Sequence, residues 1–267
     1  MTQPATPSPT HDRTIRAKTG DVFARLWWAN AELDGAPPPF VLFHDSLGCT
    51  ELWRGFPQAL AAATGRPVIA YDRVGFGRSD PFPGPLPADF IAAEGRDTLP
   101  LLHETFGFSR FIACGHSVGG GMAVETAARH PDTCLALVTM GAQAFVEERT
   151  LAGIRAAKAD FTAPEGLARL ERYHGDKAGW VVDAWTETWL SPAFAGWTLD
   201  AALARVARPV LAIHGAADEF GSAEHPRRIA EGRGRAEILA GIGHNPHREA
   251  EDQVLRLIGE FACELAG

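Results

Sequence analysis

The sequence predicts an α/β protein: a mostly parallel central sheet flanked by helices, with an all-helical insertion. Three observations carry that expectation. From Phe40 to Met140 short apolar runs alternate with helical segments, the alternation stops between about Phe145 and Leu199, and it resumes at Val210. A chain of 267 residues, 46% of them hydrophobic, is long enough for one substantial core carrying such an insertion.

The elements follow in order. Residues 1–12, rich in Pro, Thr and Ser, read as a disordered tail without the basic segment and apolar run of a signal peptide. Thr14–Lys18 and Val22–Trp28 suit two antiparallel strands joined near Gly20-Asp21. Strands are then expected at Phe40–Phe43, Val68–Tyr71, Phe111–Cys114 and Leu135–Met140, with helices near Trp53–Ala63, Phe90–Phe106 and Met122–Arg129. After the helical, Trp-rich stretch come a strand at Val210–Ile213, a helix near Ala223–Glu231, a strand at Glu237–Leu239 and a last amphipathic helix near Glu249–Leu265. The expected organisation is therefore a tail (1–12), a core (13–144 and 200–267) and a helical cap (145–199).

Composition narrows the partners. A net charge of −8 with no basic stripe argues against nucleic acid or an anionic membrane surface, because phosphate binding needs clustered Lys and Arg. No apolar run approaches the length of a membrane span. Cys49, Cys114, Cys134 and Cys263 are scattered and form no CxxC pair, which fits reduced thiols in a cytoplasmic protein and implies neither a disulfide framework nor a zinc site.

The chemistry is concentrated in Gly115-His116-Ser117-Val118-Gly119-Gly120, where an apolar strand meets a helix. A sharp strand-to-helix turn leaves no room for side chains two positions before and after the central residue, so Gly115 and Gly119 allow a nucleophile elbow that lifts the Ser117 hydroxyl out of the sheet. The following helix aims its free N–H groups and positive dipole end at that hydroxyl, which favours an anion formed beside it. A serine nucleophile needs a base, and the base needs an orienting acid. The run Val210–Asp218 sets Asp218 just past a strand end, and Gly241-Ile242-Gly243-His244-Asn245-Pro246-His247 sets His244 on the loop after the next strand. Asp218 would fix the tautomer of His244 and stabilise its cation.

In this order, Ser117, Asp218 and His244 resemble the triad of the α/β-hydrolase superfamily, and the resemblance extends over nearly the whole chain after residue 12. Phe43-His44-Asp45-Ser46-Leu47-Gly48 is similar to the loop that supplies one oxyanion-hole amide, and Asp72-Arg73-Val74-Gly75-Phe76-Gly77-Arg78-Ser79 is similar to the superfamily's DxxGxGxS turn. The resemblance implies backbone donors at Ser46 and Val118, with Leu47 the alternative to Ser46. The chain departs from the pattern at Asp45, where the superfamily usually has glycine. A carboxylate aimed at a developing oxyanion would oppose catalysis, so Asp45 is expected to turn towards Arg73, Arg78 or solvent. The Ser46-Leu47-Gly48 run with Trp53 is also similar to enol-lactone hydrolases.

The remaining candidates read more plainly. His116 is expected to point away from the nucleophile, His44 and His214 to bond backbone, and Asp72 with Gly75 and Gly77 to make a turn. His247 rivals His244, but following a proline at the start of the last helix it reads as a cap or surface residue. Cys49 lies near the oxyanion loop with no base to mark it as a nucleophile. In the cap, Val182, Trp185 and Trp189 share one helix face, with Trp180 and Trp197 flanking them; Leu47, Trp185 and Trp189 are the expected pocket residues.

These residues together predict a serine esterase or lactonase that forms an acyl-enzyme on a small, largely apolar carboxylic ester or lactone, with no metal or organic cofactor. The serine at the elbow sets it apart from haloalkane dehalogenases and epoxide hydrolases, which carry aspartate there. Two alternatives remain. One is hydrolysis of a carbon–carbon bond in a ring-cleavage product, a family that has Trp where this chain has Asn245. The other is a hydrolase-fold ligand receptor or signalling protein with slow turnover.

Overall fold

The computed structural model describes residues 9–265. Strands β1 (Thr10–Ala17) and β2 (Gly20–Trp27) form an antiparallel hairpin, and β2 runs antiparallel to β4 (Val68–Tyr71). From there β4, β3 (Phe40–Phe43), β5 (Phe111–His116), β6 (Cys134–Met140), β7 (Val210–Gly215) and β8 (Gly234–Leu239) pair in parallel. Among the described residues the sheet has eight strands in the order β1-β2-β4-β3-β5-β6-β7-β8.

The apolar runs become strands because both faces of the sheet are covered. Phe40 and Leu42 of β3, Val68 and Ala70 of β4, and Ile112 and Cys114 of β5 point to one face. There they meet Phe56 and Leu60 of α1 (Phe56–Thr64) and the C-terminal helix. Their alternates Val41, Phe43, Ile69, Tyr71, Phe111 and Ala113 point to the other. On that face lie α2 (Phe90–Ala93), which continues through a π-helical turn (Glu94–Thr98) into α3 (Leu99–Phe106), and α4 (Val118–Arg129).

Beyond β6 the chain leaves the sheet as α5 (Glu148–Thr162), α6 (Pro164–His174) and α7 (Ala178–Trp189), and short α8 (Asp200–Leu203) leads back to β7. A single bridge between Phe145 and Thr198 ties the exit to the return. After β7 come α9 (Glu224–Ala230), β8, α10 (Pro246–Glu249) and α11 (Glu251–Glu264). None of the described helices is long and apolar enough to cross a membrane.

Several strands and helices extend a few residues beyond or short of the expected bounds, β8 for one starting at Gly234 rather than Glu237, and two differences have a structural reason. Residues 1–8 of the expected tail lie outside the described residues, and Thr10–Asp12, also assigned to it, belong to β1, where Asp12 pairs with Arg25 across the hairpin at 2.6 Å. Helix α4 begins at Val118 rather than near Met122, because Gly119 and Gly120, poor helix formers by propensity, fit where a side chain would collide with Phe43 and Ala142. The fold positions the site through its topology: β4 and β5 lie on opposite sides of β3, so the strand order reverses there and leaves a crevice above the carboxyl ends of β3 and β5.

Candidate active site

Ser117 sits at that crevice in a backbone conformation that side chains avoid, with φ 54° and ψ −127°. Its surroundings enforce this. A Cβ at Gly115 would lie 2.0 Å from the Gly119 carbonyl oxygen, and one at Gly119 would lie 2.1 Å from that of Phe43. The Ser117 N–H is anchored to the Met140 carbonyl at 2.9 Å. The end of β5, the start of α4 and the end of β3 are thus in direct backbone contact, and the serine is pushed outward to the cavity.

Asp218 follows β7, and its carboxylate is buried. Both oxygens face His244 Nδ1, at 3.0 and 2.8 Å; Oδ1 also accepts the Phe220 N–H at 2.7 Å, and Oδ2 lies 3.2 Å from His214 Nε2. Burial by itself would raise the Asp218 carboxyl, but the hydrogen bond and charge of His244, with His214 behind it, outweigh that and hold it below the usual range. With Nδ1 turned to the carboxylate, His244 keeps Nε2 for another partner. Ser117 and His244 line one cavity of about 430 Å³, so the three expected residues from β5, β7 and β8 are gathered at a single place.

The two oxyanion-loop candidates, Ser46 and Leu47, differ in how their amides are engaged. The Leu47 N–H is taken by Asp45 Oδ1 at 3.1 Å and the Gly48 N–H by the Asp45 carbonyl at 3.2 Å, whereas the Ser46 N–H has no such partner among the described residues. Ser46 and Val118, the first residue of α4, both border a small void beside the main cavity. The Asp45 carboxylate turns to neither Arg73 nor Arg78: its Oδ2 lies 3.2 Å from His116 Nδ1, and the side chain keeps 20% of its surface exposed. Arg73 instead donates to the Asp45 carbonyl at 2.8 Å and stacks on Phe76, while Arg78 pairs with Asp12.

The other histidines separate cleanly. His247 is not a surface residue. It is 1% exposed, packed against His116, Trp53 and Phe56, forms no ion pair with an acid among the described residues, and is held neutral by burial. Proline at the helix start suggested a solvent-facing turn; the apolar nest beneath it comes from residues nearly two hundred positions earlier. His44 holds backbone, taking the Arg73 N–H at 3.2 Å, and His214 faces the Gly221 carbonyl. Asp72 makes the expected turn, accepting the N–H groups of Thr50 and Arg78, and a Cβ at Gly77 would come within 2.1 Å of its carboxylate. Cys49 is buried outside the main cavity, its thiol pushed up to about 12 by burial.

The cap forms the roof. Leu47, Trp185 and Trp189 all line the cavity, Trp185 between Phe161 and Phe220 and Trp189 against Phe194 and Trp197. Trp180 does not; it stacks on Phe82 and donates to the Gly84 carbonyl at 2.8 Å. Sequence reasoning missed Ile154, Phe161, Leu170 and Phe220 in the lining. Phe220 had a usable signal, since it lies two residues after Asp218; its ring is 4.7 Å from that of His244.

The fold and this site define a class. Residues 38–175 match the family described as having the alpha/beta hydrolase fold, and the chain belongs to that family. Its class is that of the α/β-hydrolase fold. It is 24% identical over 262 residues to a 2-hydroxymuconate semialdehyde hydrolase of Pseudomonas sp. strain CF600, covering 88% of this chain and 90% of that one. It is 38% identical over 116 residues to a non-heme haloperoxidase, so named provisionally, of Mycobacterium phage D29, a match to 42% of this chain that spans only 39% of the phage protein. Among solved structures, the enol-lactonase of Burkholderia xenovorans LB400 superposes with a TM-score of 0.71 at 22% identity, over 93% of this chain and 99% of that one, a likeness of fold.

Proposed function

We propose that the protein is a cytoplasmic serine hydrolase that cleaves a small, largely apolar carboxylic ester or lactone through an acyl-enzyme, with Ser117, His244 and Asp218 as its catalytic triad. The observation that carries this reading is the Asp218–His244 pair, the carboxylate fixed on Nδ1, opening on the same cavity as a serine held in a strained turn.

The steps follow from the geometry. His244 Nε2 takes the Ser117 proton as Oγ attacks the substrate carbonyl, and Asp218, ionised and buried, stabilises the imidazolium. Negative charge on the carbonyl oxygen meets the Ser46 and Val118 amides and the positive end of α4; loss of one such donor slows acyl transfer by about 10²-fold to 10³-fold. His244 then gives its proton to the leaving alkoxide. In the second half it deprotonates a water that releases the acid from Ser117. Trp185, Trp189, Leu47, Phe161 and Leu170 offer an apolar surround for the acyl group.

A second reading, hydrolysis of a carbon–carbon bond beside a carbonyl, draws on the similarity to the 2-hydroxymuconate semialdehyde hydrolase along nearly the whole chain. Asn245 after His244 speaks against it. The test is steady-state hydrolysis of p-nitrophenyl esters of rising acyl length by wild type and Ser117→Ala, beside a ring-cleavage diketone. Multiple turnover of an ester that vanishes in Ser117→Ala supports the proposal; turnover of the diketone alone replaces it with the second reading.

A further inference from the structure

Asp45 is the one residue of the oxyanion loop that breaks the superfamily pattern, and it is placed where it touches three parts of the site at once. Its Oδ1 accepts the Leu47 N–H and fills the space a side chain at Gly48 would need, a Cβ there falling 2.5 Å from it. Its Oδ2 faces His116 Nδ1 at 3.2 Å, and His116 Nε2 lies 2.9 Å from the His244 carbonyl oxygen. His116 is 1% exposed and belongs to the elbow itself. A continuous line of polar contacts, two hydrogen bonds and the Asp45–His116 pair between them, therefore runs from the oxyanion loop through the elbow to the loop that carries His244.

The chemistry of that line is constrained. A carboxylate and a carbonyl can only accept, so the His116 ring satisfies both of its partners only with a proton on each nitrogen. Among the described residues Asp45 is the acid in contact with the ring, whose other neighbours are the rings of His244 at 5.1 Å, His247 at 4.6 Å and Trp53 at 6.4 Å. Arg248 lies near enough to act on the Asp45 carboxylate by charge. Burial would raise that carboxyl, but the His116 hydrogen bond and charge hold it well below the usual range, which keeps Asp45 ionised for the pairing.

We propose that Asp45 and His116 are positioning residues of the hydrolytic site: a carboxylate–imidazole strut that sets the distance between the oxyanion loop and the His244 loop and, by engaging the Leu47 amide, leaves Ser46 as the donor. Neither side chain needs to touch the substrate. The effect is on the reacting geometry, where displacement by about 1 Å can reduce rate by about 10²-fold. This rests on the serine-hydrolase reading, and its test separates the two.

The experiment compares Asp45→Ala and Asp45→Asn on the best p-nitrophenyl ester, with the ¹⁵N signals of the His116 ring followed in wild type and in Asp45→Asn. Asparagine keeps an oxygen for Leu47 and offers an N–H to His116 Nδ1, so the strut survives with a ring bearing its proton on Nε2. The strut predicts that Asp45→Ala lowers kcat by about 10-fold to 100-fold with KM changed less than about threefold. It predicts that Asp45→Asn retains most of kcat. Both His116 nitrogens should be protonated in wild type and only Nε2 in Asp45→Asn. Ser117-dependent turnover indifferent to Asp45→Ala, or equal damage from alanine and asparagine, overturns the strut while leaving the serine mechanism intact. Turnover independent of Ser117 overturns the mechanism instead. The His116 signals decide the pairing by themselves, even if Asp45→Ala fails to fold: an unprotonated ring nitrogen in wild type contradicts it.

Discussion

On the sheet side of the cavity, Ser117, Asp218, His244 and Asp45 are each fixed by directional bonds of about 3 Å to named backbone or side-chain atoms. On the cap side, Trp185, Trp189 and Phe161 meet other rings at centroid distances of 5.1 to 6.4 Å, and their positions follow from packing. The cap is nonetheless pinned to the floor at its edge: His174 of α6 takes the Gly77 N–H at 2.9 Å and reaches the Leu47 carbonyl at 3.0 Å, and Lys177 donates to the Gly77 and Ser79 carbonyls. Directional bonds tolerate little displacement, whereas apolar contacts accept substitutions of similar volume. The floor is thus suited to setting rate and the roof to selecting substrate.

The division is broken most severely at Ser117. Ser117→Ala is expected to lower kcat/KM by about 10⁴-fold to 10⁶-fold with no fall in melting temperature, measured by ester hydrolysis and calorimetry. A paired comparison on the floor follows. His244→Ala should lose activity on a similar scale, whereas His247→Ala, emptying a nest between Trp53, Phe56 and His116, should keep kcat within about tenfold and lose about 3 kcal/mol of stability, several degrees of melting temperature. Equal activity loss in both would undo the assignment of the base.

On the roof, Trp185→Ala should change the preferred acyl length, altering the ratio of kcat/KM between short and long esters by about tenfold with a smaller change in the melting point. Uniform loss on every ester together with a large fall in melting temperature would make Trp185 a packing residue only. The smallest effect is on acid stability. Asp45 and Asp218 titrate lower folded than unfolded, so their contribution is present above the unfolded value of about 3.9 and fades as pH falls through the folded values. The urea midpoint should therefore drop below about pH 4, and Asp218→Asn should flatten that drop.

The fold was largely legible because its strands are uninterrupted apolar runs: Phe40–Phe43 and Val68–Tyr71 are bounded as expected. Ser117, Asp218 and His244 could be found because each follows a strand end, where chain order alone brings them to one edge of the sheet. What could not be read depends on distant contacts. The direction of Asp45 is decided by His116, and the burial of His247 by Trp53 and Phe56. The start of α4 was hidden by Gly119–Gly121; the need for Gly119 and Gly120 arises from the close passage of β3 and Ala142 rather than from helix propensity.

The central claim is that Ser117 carries the acyl group. Its most direct measurement is the intact mass of the protein, with peptide mapping, after millisecond mixing with a p-nitrophenyl ester under conditions that slow deacylation. The account predicts an added acyl mass on the peptide containing Ser117, formed with a burst of p-nitrophenol and absent from Ser117→Ala. Steady ester turnover with no adduct under any condition, or an adduct on another residue, would contradict it.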